Sequence, residues 1–429
     1  MRALSLATSL VWLWTLGPAW AKPATKPATR PGSPRLVKKL ELTTDRDFRL
    51  LSPGRYVQIR EERERAAEPL AALDFLVPTV LDLARLEPIR LRVDLRPLVT
   101  ERADILLDGE ATWSHKAGTR FPTFQVKLVA YDPERGRSGL LVRNTPPDGP
   151  DGSFRRRHLY LPWEPAANTL GEAVLLSEAQ GGRDESDEKY FVELGLDPTG
   201  RHLYFLTLEK LPAEEPDLAA GRLVALRLDL DARRVDWRYT FETGPSQSKK
   251  VFSSYRSALS PDGSLLLLAE YSEADDEPGV RAPVVHVVDV AARSHFSLPI
   301  LHTPYGLVVD EKNHFLTVAN SQDRKLVLYD LQKRVKLREA PAPGRVHQAA
   351  LTRDGQAVLL WPRGRTLELR GLPSLKRTAS LEVARITPGS PALDAERTLL
   401  TLDRRHALVP PSDQYGFGQE EGLYVLELP

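Results

Sequence analysis

No cysteine occurs among the 429 residues, and the only methionine is Met1. Disulfide staples, thiolate metal sites, a cysteine nucleophile and an anchor built on a lipidated cysteine are all excluded. Net charge is nearly absent too: 59 Lys and Arg face 58 Asp and Glu, a balance of +1. No global field draws such a chain to nucleic acid or to an anionic membrane, so electrostatic binding has to come from local patches. Beyond the N-terminus no apolar stretch is long enough to span a bilayer. Established catalytic signatures are missing as well: no Gly-x-Ser-x-Gly, no His-Glu-x-x-His, no phosphate-cradling glycine loop. The nine histidines are scattered, and no two share metal-ligand spacing on one element. The sequence therefore names no catalytic residue, no metal ligand and no cofactor.

What is present is a repeat. Five turn-like tetrapeptides interrupt strand-like patterns: Asp197-Pro-Thr-Gly200, Ser260-Pro-Asp-Gly263, Asp310-Glu-Lys-Asn313, Thr352-Arg-Asp-Gly355 and Asp394-Ala-Glu-Arg397, at steps of 63, 50, 42 and 42 residues. A second turn recurs in phase: Asp229-Leu-Asp-Ala-Arg233, Asp289-Val-Ala-Ala-Arg293 and Asp330-Leu-Gln-Lys-Arg334 each close an apolar run, with Asp132-Pro-Glu-Arg135 read as an earlier copy. Two turns in phase predict a radial array of small antiparallel sheets, an all-β β-propeller. A plain β-sandwich needs no such period.

The segments Pro304-Tyr-Gly-Leu-Val-Val-Asp-Glu-Lys-Asn-His-Phe-Leu-Thr-Val-Ala-Asn320 and Ala258-Leu-Ser-Pro-Asp-Gly-Ser-Leu-Leu-Leu-Leu-Ala269 resemble the repeat of YVTN-type and WD40-like bacterial propellers. The resemblance covers Tyr190 to Pro429, although the Trp-Asp dipeptide of eukaryotic WD40 repeats does not occur. It implies architecture; such folds host scaffolds, ligand binders and enzymes alike.

Four stretches follow from composition. Residues 1–21 read as an export signal, with Arg2, the apolar Ala3 to Leu16, and a cleavage pattern at Ala19-Trp-Ala21. Residues 22–35 are a Pro-rich linker. Residues 36–100 read as a small mixed α/β segment: Arg60 to Arg65 as the exposed start of a helix, then Leu70 to Val77 and Val80 to Leu86 as helical pieces broken at Pro78. It is either a separate domain or an irregular blade; the stretch Ala103 to Glu110 is weakly similar to exported TolB-like proteins, which carry such a domain before a six-bladed propeller. Residues 101–429 hold the propeller. Five clear blades, a weak one over Val126 to Asp132 and a degenerate one over Asn144 to Asp187 predict seven blades, within a range of six to eight. The chain is expected to be exported, periplasmic or secreted, without a membrane span after cleavage.

Two groups of residues are candidates for binding. The starts of the first strands carry Glu193, Tyr255, Arg256, His302, Tyr305, His347 and Gln348, a polar and aromatic set suited to an anionic or sugar-like ligand. One set of loops carries Asp184, Glu185, Glu214, Glu215, Asp275, Asp276 and Glu277, which would give one face an acidic sector. Satisfied inter-blade contacts and ordinary solvated loops account equally for such residues. The function expected is a scaffold that binds an envelope or extracellular protein, peptide or glycan through one face. A lactonase-type hydrolase, with a divalent cation held by Glu, Asn and Asp oxygens, is the alternative. The four asparagines Asn144, Asn168, Asn313 and Asn320 are a thin ligand set for it.

Overall fold

Apolar runs too short for helices, bounded by turn residues, pair as antiparallel strands throughout. The computed structural model describes residues 35–43, 49–64, 75–100, 124–144, 154–181, 191–210, 221–241, 254–271, 284–300, 306–310, 314–318, 324–343, 346–351, 357–362, 366–382, 399–400, 406–409 and 421–427. Within them lie seven sheets and one short helix, Arg96–Thr100. They fall into two compact units, Arg49–Phe252 and the pair of segments Met1–Phe48 and Ser253–Pro429.

The unit Arg49–Phe252 holds sheets I to III. Sheet I runs Arg49–Leu50, Tyr56–Glu64, Phe75–Asp82, and then Glu87–Arg90 and Val93–Asp94 sharing the fourth place. Sheet II runs Phe124–Ala130, Gly139–Asn144, Phe154–Glu164, and then Thr169–Leu170 and Val174–Gly181. Sheet III is Phe191–Leu196, His202–Lys210, Gly221–Asp229 and Arg234–Thr240.

The other unit holds sheets IV to VII. Sheet IV is Ser254–Leu259, Leu265–Tyr271, Val284–Asp289 and Ser294–Pro299. Sheet V is Gly306–Val309, His314–Val318, Lys325–Asp330 and Val335–Pro341. Sheet VI is Val346–Leu351, Ala357–Pro362, Thr366–Gly371 and Arg377–Glu382. Sheet VII joins both ends of the chain: Leu399–Leu400, His406–Val409 and Glu421–Glu427 are completed by Arg35–Thr43, with Leu40 opposite Leu423. The expected pairing of Leu36 to Leu42 with the Leu423 strand is thus present. The strand at Tyr56 belongs to sheet I instead.

Sheets pack face to face in chain order within each unit. Leu76, Val80 and Val93 of sheet I meet Leu128, Leu140 and Leu161 of sheet II. Val129, Leu141 and Tyr160 of sheet II meet Leu203, Phe205 and Leu226 of sheet III. Leu267, Val285 and Val287 meet Leu307, Val327 and Tyr329 between sheets IV and V. Val308, Leu326 and Leu328 meet Ala349, Val358 and Leu360 between V and VI. Middle strands bury both faces, which is why Leu266, Leu267 and Leu268 run consecutively with 0% exposure. Packing is close enough at Gly139 that any Cβ there would fall 2.3 Å from the Tyr160 ring.

One hairpin recurs six times between the third and fourth strands. A four-residue loop ends on a residue at positive φ: Leu86, Asn168, Arg233, Arg293, Arg334 and Leu375. In four copies the aspartate before the loop turns its Oδ1 back onto loop amides: Asp82 to Ala84, Asp229 to Asp231 and Ala232, Asp289 to Ala292, Asp330 to Lys333. The first loop residue is then buried and its amide bonds the preceding turn, as Leu230 N does to Arg201 O at 2.9 Å.

Several expectations need correction. Residues 60–64, 75–77 and 80–82, read as helical pieces, are strands instead. Pro78 lies in a third strand at the gap between Glu87–Arg90 and Val93–Asp94, where no ladder donor is required, and its carbonyl accepts from Leu91 N at 2.9 Å. Asp132-Pro-Glu-Arg135 is the turn between first and second strands of sheet II, not a third-strand ending. Val126 to Asp132 and the segment after Asn144 do not make two blades: Phe154–Glu164 pairs Gly139–Asn144, so both belong to sheet II. From residue 101 onward there are accordingly six sheets where seven were expected, and the remaining sheet comes from Arg49–Asp94. Residues 1–34 and the turn at Asp394 lie outside the described residues.

Leu267→Asp places a carboxylate in the packing between sheets IV and V and is expected to destabilise the fold by about 3–5 kcal/mol. A thermal denaturation midpoint equal to that of the wild type would refute the packing described.

Candidate functional site

First strands are edge strands, so polar side chains on them can escape the packing between sheets. In the unit Arg49–Phe252 three such side chains converge. Glu193 Oε2, on the first strand of sheet III, lies 3.2 Å from Lys127 Nζ of sheet II and 3.4 Å from Arg49 Nη1 of sheet I. Arg49 Nη1 also donates to Leu128 O at 3.2 Å. The Glu193 side chain is 9% exposed, whereas Lys127 keeps 37% and Arg49 24%.

Electrostatics follow from this geometry. Burial opposes ionisation of Glu193, but Arg49 and Lys127 together outweigh it and hold the carboxyl below its usual range. Burial first, and then Arg49, depress the Lys127 ammonium, with Glu193 offsetting them only in part. Gln58, paired in register with Arg49, donates its Nε2 to Glu61 Oε2 at 3.1 Å. Its buried Oε1 has no hydrogen-bond partner among the described residues. Glu61 in turn acts on Lys127. The cluster therefore combines two half-accessible cations, two carboxylates and one unspent buried acceptor.

Of the residues singled out from sequence, Glu193 is at this cluster. Tyr255 and Arg256 lie on the first strand of sheet IV and His347 and Gln348 on that of sheet VI, but their side chains fall outside the described residues. His302 and Tyr305 fall outside them, as do Asp184, Glu185, Glu214, Glu215, Asp275, Asp276 and Glu277. Arg49 and Lys127 were not anticipated. Lys127 carried a usable signal, a lone cation inside the apolar run Val126 to Tyr131. Arg49 sits in a two-residue strand without any.

A second charged group surrounds the first turn of sheet III. His202, Asp229 and Asp236 offer ligand atoms within 4.8 Å of one another. Every carboxylate is already engaged. Asp229 Oδ2 accepts from Arg201 Nη2 at 2.6 Å and Nε at 3.1 Å, and its Oδ1 accepts from two loop amides. Asp236 faces Arg227 through both oxygens at 2.9 and 2.8 Å. His202 Nδ1 lies 2.7 Å from Asp197 Oδ2, which is itself bonded to the turn. A cation would have to displace two guanidinium groups. The network instead fixes the turns, and Arg137 extends it from sheet II to Asp231 and Thr199 O.

These aspartates make the fold acid-sensitive. At Asp229 burial opposes ionisation, but the Arg201 bond and the loop amides prevail and bring its pKa to about 2. At Asp197 burial is likewise outweighed, chiefly by His202. A carboxyl depressed on folding stabilises the chain above its unfolded value, and that contribution disappears as pH falls through the folded value. Stability should therefore drop between the ordinary aspartate value of 3.8 and about 2. Asp229→Asn should be less stable at neutral pH and show a shallower fall in that window, measured by denaturant titration at each pH. An unchanged acid profile would show that the network contributes nothing.

No protein-family model matches the chain, and no curated protein matches it either. Among solved structures, a chain in the crystal structure of a mitotic checkpoint complex is similar over 100% of this chain and 99% of its own, with a TM-score of 0.50 and 12% identity. A chain in the structure of the Dos1 propeller covers 92% of this chain and 95% of its own, with a TM-score of 0.46 and 10% identity. Likeness at 12% identity carries the fold and no activity. With the repeated antiparallel sheets, it makes this chain an all-β propeller with WD40-like repeats.

Proposed function

We propose that the chain is an exported binding scaffold that holds a protein, peptide or glycan of the envelope or extracellular space at the edges of its sheets. The observation that supports this is the convergence of Arg49, Lys127 and Glu193 from three successive first strands. Arg49 and Lys127 hold the Glu193 carboxyl below its usual range, so it stands as the counter-charge to both. Its role is to hold two cations in place. Lys127 and Arg49 keep accessible surface, so the wall fits a ligand that presents an anionic group. Peptide C-termini and acidic sugars have that chemistry. The reading of residues 1–21 as an export signal is what supports the location.

Lys127→Ala with Glu193→Ala removes both members of one ion pair, while Arg49 loses its carboxylate but keeps Leu128 O as acceptor. Captured from an envelope extract by the immobilised wild type, the partner should bind this double variant about tenfold more weakly or worse, with a melting midpoint close to wild type. Equal capture would remove the cluster from the binding surface.

The acidic segments are proposed as a second contact. Replacing Glu214, Glu215, Asp275, Asp276 and Glu277 by Ser should leave folding intact and weaken capture of the same partner, more at low salt than at high. Unchanged affinity at low salt would reduce them to a solvated rim.

A further inference from the structure

In sheets IV, V and VI the third-to-fourth hairpins and the outer strands carry an excess of exposed cations. The hairpins present Arg293, Lys333, Arg334, Lys376 and Arg377, all exposed. Lys336 and Arg338 follow on the outer strand of sheet V. Carboxylates in the same segments are fewer and mostly spent. Asp289 and Asp330 bond their own loop amides, Glu339 is bridged by Lys325 and Lys336, and Glu382 ends the outer strand of sheet VI. Arg293, Lys376 and Arg377 have no ion-pair partner among the described residues.

These cations belong to one surface. The Arg334 guanidinium stacks 4.1 Å over Phe296 of the outer strand of sheet IV. Arg370 of sheet VI donates Nη2 to Pro341 O, at the end of the outer strand of sheet V, at 3.3 Å. Arg293 and Arg334 each occupy the positive-φ position of the loop, at 51° and 57°, where glycine or asparagine would be less strained. Asn168 fills the same position in sheet II and Arg233 in sheet III.

The middle strand of this surface adds a different chemistry. Val335 and Leu337 are 46% and 39% exposed, two of the four large apolar side chains that stand out to solvent among the described residues. They directly follow the hairpin cations Lys333 and Arg334, while Lys336 and Arg338 alternate with them and so turn toward the other face of the strand. An acidic protein or a soluble polyanion would account for the cations and leave these two side chains unexplained. Apolar side chains bordered by Lys and Arg are what an interfacial contact with an anionic bilayer uses: the apolar groups enter the acyl boundary and the cations meet phosphates.

We propose that the outer strands of sheets IV to VI form a docking surface for an anionic lipid bilayer. The surface is separate from the Arg49–Lys127–Glu193 cluster and does not depend on the function assigned to it.

The test is sedimentation of the full chain with vesicles of phosphatidylcholine alone, or with phosphatidylglycerol as about one lipid in three. Wild type should bind the anionic vesicles, not the neutral ones, and lose binding as salt rises. Combined Lys333→Glu, Arg334→Glu, Lys376→Glu and Arg377→Glu should weaken partitioning about 100-fold or more. Val335→Ser with Leu337→Ser should weaken it about tenfold while melting midpoints stay near wild type. Binding that is absent in the wild type, or undiminished in the charge-reversed variant, overturns the proposal. So does a Val335/Leu337 variant that binds as well as wild type, which would leave only a polyanion contact.

Discussion

The antiparallel pairing of Arg35–Thr43 with Glu421–Glu427 is the contact on which the rest of the structure depends. Glu421–Glu427 ends the chain's own run of strands in sheet VII, and without a partner its outer edge would present a row of free amides and carbonyls beside buried Leu423, Val425 and Leu426. The strand that covers this edge comes from the opposite end of the sequence. Everything between residues 43 and 421 is thereby enclosed in one loop of chain, and separating the termini requires breaking the whole ladder. Its register slips twice, between Leu36 and Lys38 and between Leu40 and Thr43, yet Leu40 still meets Leu423.

Local order rests on a different device, the hairpin between third and fourth strands. Each copy ends at positive φ, and in four copies an aspartate spends its charge on loop amides while the next residue, Leu83, Leu230, Val290 or Leu331, enters the core. Those carboxylates look available in the sequence, but they are structural. The same holds for His202, Asp229 and Asp236, whose spacing would admit a metal ion and whose partners are arginines. Charge that contributes to folding is inward and paired. Exposed charge without an ion pair among the described residues is found at the hairpins and the start of an outer strand, at Arg293 and Arg377.

The turns and their phase were legible before any coordinates. Asp197 to Gly200 and Ser260 to Gly263 form turns because Asp, Ser, Pro and Gly carry backbone preferences that hold wherever the segment lies. The strands that flank them alternate or run apolar for the same local reason. Completion of the last sheet by Leu36 to Leu42 was also readable, since an unpaired terminal strand demands a partner. Glu193 was visible as a polar residue at the start of a first strand.

Tertiary structure alone decided the rest. Helical spacing in residues 75–82 yielded to strand pairing, because Pro78 could be placed where the neighbouring strand is interrupted and no donor is missed. Gly139–Asn144 and Phe154–Glu164 share a sheet although a turn-rich stretch divides them, because sheet membership is set by which edge is free and which face is apolar. Arg49, Lys127 and Glu193 are far apart in sequence and carry no common motif. Their ion pairs arise from the stacking of three sheets. Local backbone preference is a property of a few adjacent residues and can be read from them, whereas the meeting of side chains from three strands depends on every packing contact between them.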